Sequence, residues 1–239
     1  MVYRVVLLLL ILFEIIFVPI FLKASWPNRT KKSLALKMVC ATLFVCAGLC
    51  AVKISGNTTT FAKLVMVGLV LGWIGDFFLH VSNKPVYFLI GLISFLGGHI
   101  CYISAYCWAI GNYFPEADFF DPLEVSAFIL LFGIAVAYAV NQKMKLRAAL
   151  VPISVYTLIL TFMVVKASSL GLRLVFESPR NALICSMLML GALLFAASDS
   201  ILGIMKFNGQ SNNRKMKVVN IVTYFSAQIL LACTILFVS

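Results

Sequence analysis

Runs of about twenty apolar residues recur from one end of this 239-residue chain to the other, separated by short breaks carrying charge, Gly, Pro or Asn. A helix rises ~1.5 Å per residue, so such a run crosses, or nearly crosses, a ~30 Å hydrocarbon core. Eight spans fit: residues 2–22, 34–52, 63–80, 86–110, 123–140, 149–166, 182–205 and 218–238, of which the fifth and sixth must borrow flanking residues. Only 11% of residues are charged, against roughly 25% in a soluble domain, and no stretch is long and polar enough to stand apart. The expected fold class is all-α: one membrane domain over residues 1–239, an integral bundle of about eight transmembrane helices.

The net charge of +11 does not point to nucleic acid, because the basic residues gather in the breaks, where they flank membrane spans. Thirteen of the nineteen Lys and Arg fall on the side of the first, third, fifth and seventh loops, with Lys37 counted in the first. The positive-inside rule puts that side in the cytosol and both termini outside or in a lumen. Of the two N-x-T sequons, Asn57 then faces the lumen, while Asn28 faces the cytosol, out of reach of glycosylation. The seven cysteines lie inside apolar runs without metal-ligand spacing and read as small buried hydrophobes. Arg4 and the run after it imitate a signal peptide, but the run is too long and no small-x-small cleavage site follows, so it is kept as the first span.

Polar residues within the spans are the candidates for chemistry. In "FAASDSILGIM", Asp199 is the one ionisable residue among small and apolar neighbours. Asp76 lies about one helical turn from the cytosolic end of the third span and Asp199 about a turn and a half from that of the seventh. Lys37 enters the second span from the same side. Tyr156 and Tyr224 sit somewhat deeper in the sixth and eighth, with Gln228 one turn beyond, and His99 and Glu14 lie nearer the midplane. Polar side chains on several helices at similar depth imply a one-sided polar cavity. An aspartate at a helix centre costs ~2.5–3.5 kcal/mol, so each must face the bundle interior. "GLVLGWIGD" puts Gly68, Gly72 and Asp76 on one face, and "GALLFAASD" supplies Gly191, Ala192 and Ala196; small residues let helices approach. An interhelical hydrogen bond without chemistry is the alternative for either aspartate, and a structural hydrogen bond is the alternative for His99. His80 reads as a solvated interfacial residue, and Glu14 stays unassigned. Asp76, His80, His99 and Asp199 make a metal site only if His80 turns inward, and no ligand spacing asks for it. There is no G-x-S-x-G elbow and no P-loop, and Ser198 and Ser200 point away from Asp199.

These residues carry a likeness. "GDFFL" around Asp76, "GGHICYISAY" around His99 and Tyr102, "VYTLILTFM" around Tyr156, "GALLFAASDSILGIMKF" around Asp199 and "TYFSAQILL" with Tyr224 and Gln228 stand in the order and spacing of the lysoplasmalogenase (YhhN-like) family, which the chain resembles from about residue 34 onward. Lys37 fits that family's lysine early in the second span; Met38 departs from relatives that turn there with a proline. The resemblance implies hydrolysis of the vinyl ether bond of alkenyl lysophospholipids, giving a fatty aldehyde and a glycerophospho-ethanolamine or -choline, with no cofactor and membrane lipids as surroundings. Vinyl ether cleavage protonates a carbon and adds water to an oxocarbenium-like centre, work for a carboxyl pair as in glycoside hydrolysis. Asp76 and Asp199 are that pair, without assignment of which is the acid. Lys37 would hold the phosphate, and Tyr224, Gln228, Tyr156 and His99 would orient water or a glycerol hydroxyl. Two rival readings are a non-catalytic lysolipid transporter or binding protein, and a metal-dependent membrane lipid amidase.

Overall fold

The computed structural model describes residues 2–56, 58–142, 144 and 149–238; Asn57 lies outside them. Eight helices follow one another: α1 Val2–Ala24, α2 Lys31–Ser55, α3 Thr60–Val81, α4 Pro85–Tyr113, α5 Pro122–Asn141, α6 Leu150–Glu177, α7 Ala182–Phe207 and α8 Arg214–Thr234. Each is long and apolar enough to cross a membrane, so the chain is an all-α, multi-pass membrane bundle. Local signals set the ends. Thr30 accepts from the Ser33 amide while Ser33 accepts from Thr30, a reciprocal cap that starts α2, and Asp121 caps α5 ahead of Pro122.

The sixth helix departs most from expectation, running on past residue 166 to Glu177. Its polar continuation looked like a loop because Lys166, Ser169 and Arg173 interrupt the apolar run. They share one face, at helical spacing, and that face meets the start of α5. Lys166 Nζ lies 2.5 Å from Glu124 Oε2 and 2.5 Å from the Phe119 carbonyl, Ser169 donates to Glu124, and Arg173 pairs with Asp121 at 3.0 Å. Apart from this tie, α5 is a peripheral helix. Among the described residues it packs on α6 alone, and Glu124 is its one buried side chain.

Lipid tails are as apolar as leucine, so helix association in a bundle rests on close packing and internal polar bonds. The α3–α4 contact shows this. A Cβ at Gly68 would lie 2.5 Å from the Tyr102 ring, and the Gly68 carbonyl comes within 3.3 Å of a Cβ built at Gly98. Helices α1, α2, α3, α4, α6, α7 and α8 enclose the interior, and α1 turns most of its apolar surface outward.

Candidate active site

Four helices build the first polar cluster. Lys37 of α2 reaches across to Asp76 of α3, Nζ to Oδ1 at 2.8 Å, and also donates to the Asp76 carbonyl at 3.3 Å. From α8, Tyr224 donates to Asp76 Oδ2 at 2.8 Å. Gln228, one turn deeper, donates to Tyr224 Oη at 3.0 Å and accepts from Tyr102 Oη of α4 at 3.0 Å. Both Asp76 oxygens are therefore engaged, and the residue is 2% exposed behind Lys37 and Tyr224.

The second cluster joins α4, α6 and α7. Tyr156 donates to Asp199 Oδ2 at 2.5 Å, and His99 Nε2 lies 2.9 Å from Tyr156 Oη and 3.3 Å from the same Asp199 oxygen. The other ring nitrogen of His99 stands 3.2 Å from the Met163 sulfur. Asp199 Oδ1 takes part in neither bond. Phe195 fills the space between the clusters, its ring centroid 4.7 Å from that of His99 and 5.5 Å from that of Tyr224.

Two hollows meet at Asp199. A polar cavity of about 250 Å³ opens among the first, third and seventh loops, where the basic residues concentrate; Lys37, Tyr224, Asn220 and Asp199 line it within. A smaller apolar chamber of about 110 Å³, walled by Tyr156, Leu160, Leu92 and Phe207, lies on the other side of Asp199. It shares Ala135, Ala139, Met144, Ile153 and Thr157 with a third hollow of about 350 Å³ between α5 and α6. The one-sided polar cavity expected from the sequence is thus present, with an apolar annex running sideways toward α5.

His80 corrects the sequence reading. It is not solvated at the interface but buried, its Nε2 2.9 Å from Ser33 Oγ and its ring 5.6 Å from that of Phe21. The first loop folds over it, with Arg29 donating to the Leu79 carbonyl at 2.6 Å. Although His80 does turn inward, no group of three His, Cys, Asp or Glu among the described residues is arranged to hold a metal ion. Glu14 is 4% exposed inside the bundle, and neither carboxylate oxygen has a hydrogen-bond partner among the described residues.

Sequence reasoning missed Asn220, which donates to Ser198 Oγ at 2.9 Å and to the Ser198 carbonyl at 2.7 Å and so fixes α8 against α7 beside Asp199. The signal was available: Asn220, Tyr224 and Gln228 follow at i, i+4 and i+8, a single polar stripe. Ser33 and Lys37 on α2, and Asp76 and His80 on α3, repeat the same spacing.

The Tyr224–Gln228 pair depends on a missing side chain. A Cβ at Gly72 would lie 2.4 Å from Gln228 Nε2 and 3.4 Å from Tyr224 Oη. Gly72→Ala is expected to cost about 1–3 kcal/mol by overpacking, read as a lowered thermal midpoint in detergent. Adding Gln228→Ala should recover much of the loss; a Gly72→Ala protein that melts like wild type would mean Gln228 is not held there.

Fold and site together define a multi-pass integral membrane protein with a polar site sunk into the bundle and an apolar chamber adjoining it. The family follows from comparison with known proteins. The model of the YhhN family matches residues 31–235, and the chain belongs to that family, the family of lysoplasmalogenases. No curated protein and no solved structure gives a match. The matched segment holds α2 to α8; α1, with Glu14, and Arg29 precede it.

Proposed function

We propose that this protein is a lysoplasmalogenase, a hydrolase of the vinyl ether bond in alkenyl lysophospholipids. The observation that carries this reading is the position of Asp199, with a polar, basic cavity on one side and an apolar chamber on the other. A lysolipid has the same two-part character, and its ether bond lies where the parts join. Family membership supports the reading at its coarser level.

Different surroundings support different proposed tasks for the two aspartates. Asp76 has one oxygen on Lys37 and the other on Tyr224, is 2% exposed and does not line the cavity; its proposed role is to position those two side chains. Asp199 keeps Oδ1 free of Tyr156 and His99, and this oxygen is the proposed proton donor. Its proton goes to the alkene carbon farther from the ether oxygen, and the nearer carbon becomes an oxocarbenium centre. Water adds to that centre and returns a proton to Asp199. The hemiacetal then breaks: its hydroxyl proton moves to the glycerol oxygen as the carbon–oxygen bond opens, releasing fatty aldehyde and glycerophospho-alcohol. Tyr156 and His99 hold the carboxyl in place, as a general acid must be held within hydrogen-bond reach of its target.

The test is lipid mass spectrometry with purified protein offered alkenyl, alkyl and acyl lysolipids side by side. Only the alkenyl lipid should be split, and turnover in heavy water should place one deuterium on the carbon next to the aldehyde carbonyl. Release of fatty acid from the acyl lipid would overturn the reaction class. Saturable binding of all three without cleavage would make the protein a lysolipid carrier.

A further inference from the structure

The sequence-level expectation that Lys37 holds a substrate phosphate meets a competitor in the structure, since Lys37 is already paired with Asp76 at 2.8 Å. Three other cations line the same cavity: Arg29 from the first loop, Lys206 from the end of α7 and Lys217 from the first turn of α8. None has a carboxylate within ion-pair distance among the described residues. Each is instead held by a neutral partner. Arg29 donates to the Leu79 carbonyl at 2.6 Å, Lys217 donates to the Ser25 carbonyl at 2.5 Å, and Lys206 stands 4.8 Å over the Phe88 ring. Neutral acceptors orient a cation without cancelling its charge. Arg29 is also within electrostatic range of both lysines, so it repels each of them as they stand.

Three cations fixed around one opening, none of them ion-paired among the described residues, are complementary to an anion with several acceptor oxygens. Asn212 and Ser211 add neutral hydrogen-bonding groups to the same wall. Resting on the reading of the bound molecule as a lysolipid, we infer that Arg29, Lys206 and Lys217 form the subsite for the headgroup phosphate, and that Lys37 belongs to the inner cluster with Asp76. Arg29 provides a planar fork suited to two phosphate oxygens, and the lysines act as point charges. Phosphate held at the mouth leaves the glycerol to span the cavity and the ether bond to reach Asp199.

Binding of two uncleavable probes tests this without relying on catalysis: an alkyl lysophosphoethanolamine, and the monoalkylglycerol that has the same chain and no phosphate. Wild-type protein should prefer the phosphate-bearing lipid, and added salt should reduce that preference. Each of Arg29→Gln, Lys206→Gln and Lys217→Gln should cut the preference by about ten-fold, the scale of one charge-assisted hydrogen bond. Lys206→Arg and Lys217→Arg should keep most of it. Inorganic phosphate should displace the phosphate-bearing lipid. The inference falls if wild type binds both lipids equally, a result that needs no variant to fold, or if the Gln variants keep the wild-type preference. If inorganic phosphate stabilises the protein yet does not compete with the lipid, the cations serve free phosphate and the headgroup assignment fails. A protein that shows the preference but splits no vinyl ether would retain the subsite and lose the proposed reaction.

Discussion

Asp199→Asn is expected to fold, bind lysolipid and lose about 10²–10⁴-fold in kcat, the usual worth of a positioned general acid. Asparagine keeps the shape and still offers an oxygen to Tyr156 and His99, so the network around it survives; what disappears is the transferable proton. KM should change little, because the proposed sites for the phosphate and the chain lie away from this atom. Tyr156→Phe removes the 2.5 Å donor to Asp199 but leaves the acid, so its loss should be smaller. The pattern to measure is kcat and KM for all three proteins on one alkenyl lysolipid, beside their melting curves. A well-folded Asp199→Asn protein with near-normal turnover would remove the acid from the mechanism.

The second large effect is on stability. Removing one partner of a buried ion pair strands the other, at about 3–5 kcal/mol, whereas replacing both with apolar residues of similar volume is often neutral. A hydrogen bond between membrane helices averages only ~0.6 kcal/mol, so Lys37→Met should lower the thermal midpoint far more than Tyr102→Phe, which costs one bond to Gln228. The double variant Lys37→Met with Asp76→Leu should regain most of the midpoint while remaining inactive, because Tyr224 has lost the acceptor that aims it. Equal midpoints for wild type and Lys37→Met would show that the pair adds nothing to the fold.

The eight helices were legible because the bilayer demands long apolar runs, and length with hydropathy is enough to find them. The seven site candidates were legible for a related reason: Lys37, Asp76 and Asp199 are costly in that setting, and His99, Tyr156, Tyr224 and Gln228 share their depth. Partnership was not legible. Depth along an axis says nothing about rotation around it, so the direct partners of each aspartate, Lys37 and Tyr224 for Asp76 and Tyr156 and His99 for Asp199, stayed hidden. The Lys166–Glu124 pair was hidden for the opposite reason. Both residues sit at span ends, where charge is ordinary, and only the extension of α6 to Glu177 turns them toward each other. His80 was misread because the first loop, which covers it, leaves no trace in hydropathy.

The lone packing of α5 on α6 bears on traffic. The hollow between these two helices continues the chamber beside Asp199, so a single-chain lipid drifting in the leaflet could slide in flank-first, its tail never crossing water. The cavity mouth, by contrast, faces the aqueous basic side. A molecule cut at Asp199 would then lie with one fragment in each passage: the oily piece abutting the leaflet, the soluble piece abutting the water. Under the proposed reaction each fragment would have its own door. Glu124 and Lys166 tie one end of α5 and the Asn208 bond to the Gln142 carbonyl ties the other, so the two passages stay separate, and clearing the site would need no fragment to pass the other.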